Sequence, residues 1–448
     1  MLNNRRQEAA HLLRRAGFGP KSLDEIISIA SLSHLQAVTK LLDFNPEETA
    51  LSSNPTTRLT AKKPLSTDWD GSDLQQSWLE VMLHTNYPLQ EKLALFWHGH
   101  FTSSIEKVGD AQLMLDQNLY FRRHGLGNFE KMVRDISRDP AMLIYLDNVE
   151  NSLENPNENY ARELMELFTL GIGNYSEQDI RESARAFTGW RIEYSDSPGP
   201  RHPQVVYDPE LHDNSTKTFM GETGNFDGEV IISIILKRRE VAYYICRKLW
   251  EFLVYPEPAA VLVKNLGDLF YDSGYDIRTL VGAILLNPEF LSPRAYRALV
   301  KSPVELVVGT LAALGVTRLD SDPLNLMGQA LFAPPNVKGW AGGKRWINSA
   351  TFLARVNYFG NLLATDESQP NLLPVISSYR NRPPATGFNE LAELLVDNQV
   401  QGLNDIKSFV QAPYISEAGD TQGLAAESEA RLRGAVHLLV STPDYQLN

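Results

Sequence analysis

The segment NENYARELMELFTLG, Asn157 to Gly171, gathers Glu158, Glu163 and Glu166 with Arg162 and Asn159. At helical spacing these five share one face, while Tyr160, Ala161, Leu164 and Phe168 lie opposite. On a solvated face, Glu158, Arg162 and Glu166 are successive i,i+4 neighbours that lend a helix roughly a few tenths of a kcal/mol per pair. In a pocket, the same carboxylates can ligate a metal or take a proton from bound water, and Arg162 can pair with one of them or grip an anionic substrate group. Glu158, Glu163, Glu166 and Arg162 are therefore the candidate catalytic set, with Asn159 a candidate substrate contact.

Two further segments supply imidazoles. In ALFWHGHFTSS, His98 and His100 flank one glycine. Gly99 and Thr102 predict that the helix beginning near Leu89 ends here, so that an extended backbone turns both rings the same way and lets them reach one metal; within a helix they diverge by about 200°. In LHDNSTKTFMG, His212 is a candidate third nitrogen ligand, Asp213 a group that orients an imidazole or contacts substrate, and Lys217 a substrate contact. Two or three histidines with one or two carboxylates suit zinc, manganese or iron. A fourth segment, PPNVKGWAGGKRWINSATFLAR, sets Trp340 and Trp346 on either side of a Gly-Gly turn near Lys338, Lys344 and Arg345. Tryptophans stack on rings and cations and equally serve as core plugs, so both are candidate substrate contacts.

Several chemistries are excluded. The chain has no P-loop, no dinucleotide-binding glycine fingerprint, no G-x-S-x-G elbow and no H-E-x-x-H. Its E-x-x-H is confined to Glu8 and His11, whereas a ferritin-type di-iron bundle uses two. A formal net charge of −13 argues against nucleic-acid binding, which needs a basic surface. The single cysteine, Cys246, lies in the apolar run VAYYICRKLW and reads as a core residue. No window approaches the length of a membrane span and the first residues lack a leader's apolar stretch, so the chain as given is expected to be soluble and cytoplasmic, or exported if a leader was removed.

The elements that must position these residues are mostly helices. Apolar residues recur at i, i+3, i+4 and i+7 through eleven segments, and strand-like alternation is scarce. Ser176 with Asp179 predicts a capping box, and Gly171 and Gly173 predict the stop of the helix before it. The expected fold is mainly α: one large multi-helix domain over 1–448, with irregular insertions near 45–71, 191–228 and 365–386 and at most a short β-hairpin in the second.

HLLRRAGFGP, FWHGHF, the NENYARELMELFTLG helix, YSEQDIRESARAFTGW, HDNSTKTFMG, LLNPEFLSP and APPNVKGWAGGKRWIN, taken in order, resemble the large uncharacterised bacterial family known as domain of unknown function 1800. The resemblance runs nearly end to end. It implies a partner of the domain of unknown function 1501 family, which is similar to alkaline phosphatases and sulfatases, and it implies export, from which the missing leader departs.

The expected function is a metal-dependent hydrolase acting on a polar substrate such as a glycan. His98, His100 and His212 hold a divalent metal with one or two of the glutamates, and a remaining glutamate activates water. The alternatives are a binding or assembly protein whose polar cluster is a structural ion-pair network, and a metal-free glycan hydrolase or lyase using two carboxylates.

Overall fold

The computed structural model describes residues 4–47, 70–194, 203–317, 321–364, 373–379, 382–412 and 421–448. Among them are twenty-two α-helices and two two-stranded sheets, so the fold is mainly α. The expected insertion at 45–71 falls almost wholly outside the described residues, and that at 365–386 falls partly outside.

Local sequence explains many helix ends. The Ser176 hydroxyl accepts from the Asp179 N–H while the Asp179 carboxylate accepts from the Ser176 N–H, which closes the predicted capping box of helix Glu177–Ala186. Ahead of it, Gly171 at φ 75° and Gly173 at φ 92° take the left-handed backbone that ends the preceding helix. Asn157 caps helix Glu158–Glu163 by accepting from the Asn159 N–H at 2.9 Å.

The core is continuous along the chain. Helix Arg239–Leu253 buries Val241, Ala242, Ile245, Cys246, Leu249, Trp250 and Leu253, and packs along helix Ala260–Asp272. Cys246 is buried as expected, and burial pushes its thiol up to about 12, far from a reactive thiolate. Helix Arg5–Arg15 is buried over most of its length and ties the two ends of the chain together, because Arg14 forks onto Asp397 at 2.6 and 2.9 Å.

The stretch 191–228 holds two hairpins where one at most was expected. Trp190–Tyr194 pairs antiparallel with Pro203–Tyr207, and Lys217–Phe219 pairs with Glu222–Gly224. The second is closed by Met220 and Gly221, at φ 48° and 87°, the doubly left-handed turn that suits the twist of a two-residue hairpin. Among the described residues no helix is long and apolar enough to cross a membrane.

Candidate functional site

A cleft of about 300 Å³ opens between helix Pro88–His100, helix Arg239–Leu253, the start of helix Pro303–Ala313 and the loop around Gly339–Trp346. Trp340, Trp346, Phe96 and Phe252 supply aromatic walls. His100, Lys248, Glu251, Glu305 and Lys338 supply the polar groups. The volume stands at the lower end of small-ligand sites, and the mixture of apolar walls with a few convergent polar groups is what such sites share.

The tryptophan loop reaches the histidine helix through glycine. Gly339, at φ 74°, lies so close to Gly99 that a Cβ there would fall 2.5 Å from the Gly99 oxygen, and a Cβ on Gly99 would meet the Trp340 ring at 3.8 Å. The Trp340 ring also sits 5.5 Å from that of His98.

His100 is 2 % exposed. Its Nε2 donates to the Phe168 carbonyl at 3.0 Å, which fixes the tautomer and leaves Nδ1 as an acceptor, buried and without a hydrogen-bond partner. The receiving carbonyl belongs to a π-helical turn, Leu164–Thr169, that continues helix Glu158–Glu163. Helix ends leave carbonyls without partners. Here Phe168 is met by His100, and Leu167 by the Tyr244 hydroxyl at 3.0 Å. Burial holds His100 well below its ordinary value, with the Lys248 charge acting in the same direction.

The expected extended backbone at the histidines is corrected: the helix runs through Gly99 to His100, so the two rings diverge. His98 accepts the Phe332 N–H on Nε2 at 3.2 Å and packs edge-on against Trp78 at 5.5 Å. That lone pair is spent on backbone. Burial drives His98 down to about 3. His212 lies elsewhere, in the loop between the hairpins, donating from Nδ1 to the Thr188 carbonyl at 3.0 Å beside Tyr207. Among the described residues no three His, Cys, Asp or Glu side chains are arranged to hold a metal ion. The donor set expected for zinc, manganese or iron does not assemble.

The carboxylate face divides. Arg162 joins Glu158 at 3.0 Å and Glu177 at 3.0 Å, with the three side chains between 35 % and 65 % exposed, so this part is a solvated ion-pair network. Asn159 reaches Asp147 at 3.3 Å. Neither lines the cleft. Glu166 accepts the Tyr175 hydroxyl at 3.2 Å and stands 3.6 Å from the ammonium of Lys338, a cleft-lining residue. Glu163 beside it is half-buried, and burial together with the Glu166 charge raises its carboxyl.

Asp213 and Lys217 stabilise their own loop. Desolvation opposes ionisation of Asp213, yet the Ser215 hydroxyl and Arg185, 2.7 Å away, hold it down to about 2. Lys217 is 1 % exposed and donates to the carbonyls of Asp213 and Ser215. Both are away from the cleft.

The order and spacing of these blocks find a match over almost the whole chain. A family model described as protein of unknown function, DUF1800, covers residues 11–447. The chain belongs to that family. No curated protein and no solved structure matches it.

Among the cleft residues of this DUF1800 chain that escaped the sequence reading are Lys248, Glu251, Phe252 and Glu305. Signals existed. Lys248, Glu251 and Phe252 fall at i, i+3 and i+4 of one helix face, and Ser302 with Glu305 forms a capping box before an apolar run. Nothing local announces that these faces border a cavity. Glu305 is held by the buried Lys92, the Ser302 N–H at 2.7 Å and the Asn448 amide at 3.2 Å.

Proposed function

We propose that this chain binds a small hydroxyl-bearing ring compound of the glycan class in the cleft under the tryptophan loop, without a metal. The observation that carries this reading is that Trp340 and Trp346, on either side of the glycine turn, both wall a cavity of about 300 Å³ that also presents cations and carboxylates. The apolar faces of a sugar ring pack on indole, and its hydroxyls need both acceptors and donors at the rim. Glu251 accepts, and Lys248 and Lys338 donate. Titration of intrinsic tryptophan fluorescence with mono- and disaccharides tests the reading. Trp340→Ala and Trp346→Ala are each expected to weaken binding at least ~10-fold, equivalent to about 1.4 kcal/mol. Saccharides that leave the fluorescence unchanged, or variants that bind like the parent, defeat it.

A second reading, metal-free hydrolysis, is favoured by one observation. Glu163, raised by burial, adjoins Glu166, which is hydrogen-bonded to Tyr175 and near Lys338. Carboxylates in contrasting environments divide into proton donor and charge stabiliser. On nitrophenyl glycosides, Glu163→Gln is expected to lower turnover by ~100-fold or more while saccharide binding stays intact. Equal turnover in the variant removes this reading.

A further inference from the structure

We infer that Lys248 is a nucleophilic amine that captures an aldehyde, such as the open form of a reducing sugar, as an imine in the cleft. The inference rests on the cleft being a ligand site, and it adds a covalent step to it.

Of the other buried lysines, Lys92 is held by Glu305 and Lys217 by two backbone carbonyls, while Lys301 stands over the Tyr445 ring and does not line the cleft. Lys248 differs. It lines the cleft with Phe96 and Phe252, its Nζ stands 5.4 Å from the centre of the Tyr244 ring, and among the described residues no hydrogen bond or ion pair holds its ammonium. An amine kept among aromatic rings without a hydrogen-bond partner loses its proton readily. Burial lowers it to about 8, against the opposing charge of Glu251 on the same helix. The other groups facing the cleft are His100, Glu305 and Lys338. Near neutral pH a sizeable fraction of Lys248 is therefore the free amine, while an exposed lysine is almost wholly protonated.

The step balances without a redox partner. The Nζ lone pair forms a bond to the aldehyde carbon, and the carbonyl pair moves to oxygen. The two amine protons leave with that oxygen as water, giving a neutral imine that protonates reversibly. Glu251 remains as an acceptor for the hydroxyl groups of the captured ligand.

The experiment is a short pulse of glycolaldehyde with sodium cyanoborohydride, which reduces any imine to a stable amine, on the intact folded chain, followed by site-resolved mass spectrometry. Lys248 is expected to be modified at least ~10-fold faster than the exposed Lys237 and Lys264, with a rate that climbs between pH 7 and 9. Lys248→Met should lose that fast site while its unfolding transition stays cooperative. Labelling of Lys248 at or below the rate of Lys237 overturns the inference. A saccharide titration in parallel separates the two claims: fluorescence quenching with an unreactive Lys248 overturns the imine step alone, and a reactive Lys248 without quenching upholds the step and removes the glycan reading.

Discussion

Gly339 and Gly99 meet backbone to backbone, and a methyl group on Gly339 would lie 2.5 Å from the Gly99 carbonyl oxygen. The tryptophan loop and the histidine helix are joined where neither carries a side chain. The substitution cost is asymmetric. At Gly339 the left-handed φ of 74° and the backbone clash act together, so Gly339→Ala is expected to destabilise by about 2 kcal/mol or more and to lift Trp340 from the cleft. At Gly99 a Cβ meets only Trp340 at 3.8 Å, and the position is helical, so Gly99→Ala is expected to be neutral or to stabilise by up to about 1 kcal/mol. Urea unfolding of the two variants, with tryptophan emission as the second probe, checks both.

Buried histidines make this fold acid-sensitive. His11, His98 and His100 are at most 2 % exposed, and burial holds all three below the ordinary 6.5. The native state refuses a proton that the unfolded chain accepts. Stability is then complete above about pH 6.5 and declines as pH falls below it, for His98 down to about 3. Each histidine contributes a slope of about 1.4 kcal/mol per pH unit in that window. His98→Gln, which keeps an acceptor for the Phe332 N–H, should flatten the dependence by one such increment between pH 6 and 5; an unchanged slope refutes the assignment.

Lys92 and Glu305 form an enclosed ion pair, with side chains 1 % and 11 % exposed. Lys92→Met strands the Glu305 carboxylate beside a cleft wall. Loss of one partner from a buried pair costs about 3–5 kcal/mol, and replacing both recovers much of it. Denaturant unfolding of Lys92→Met, Glu305→Met and the double variant measures the recovery, and additive losses would show that the two charges act independently.

Arg162 gives the opposite expectation. With partners 39 % and 65 % exposed, Arg162→Ala should cost less than about 1 kcal/mol, an effect that fades in 1 M salt, and it should leave saccharide binding unchanged. A binding loss of tenfold or more would return this arginine to the functional set.

Much of the local framework was legible. Ser176 and Asp179 announced a helix start, Gly171 and Gly173 a stop, and Cys246 a core position, because each depends on neighbours within a turn or on apolar periodicity. The tryptophan pair drew notice by its flanking glycines, and both residues wall the cleft. The polar stripe of Glu158–Glu166 was equally visible, yet exposure decides its role, and spacing is the same on a solvated face and in a pocket. Gly99 misled in an instructive way. It read as a helix terminus, but the tertiary contact of Trp340 against it is compatible with a helix that continues to His100, and that continuation turns the two imidazoles apart.

Helix boundaries, amphipathic faces and the family blocks were written in residues a few positions apart, whose hydrogen bonds and side-chain periodicity need no distant partner. The cleft was not. His100 meets Phe168 across 68 positions and Lys92 meets Glu305 across 213, and only the folded chain sets which nitrogen keeps a free lone pair and which cleft lysine is left without a hydrogen bond. Burial and partner geometry are properties of packing, and packing is where this protein's chemistry was decided.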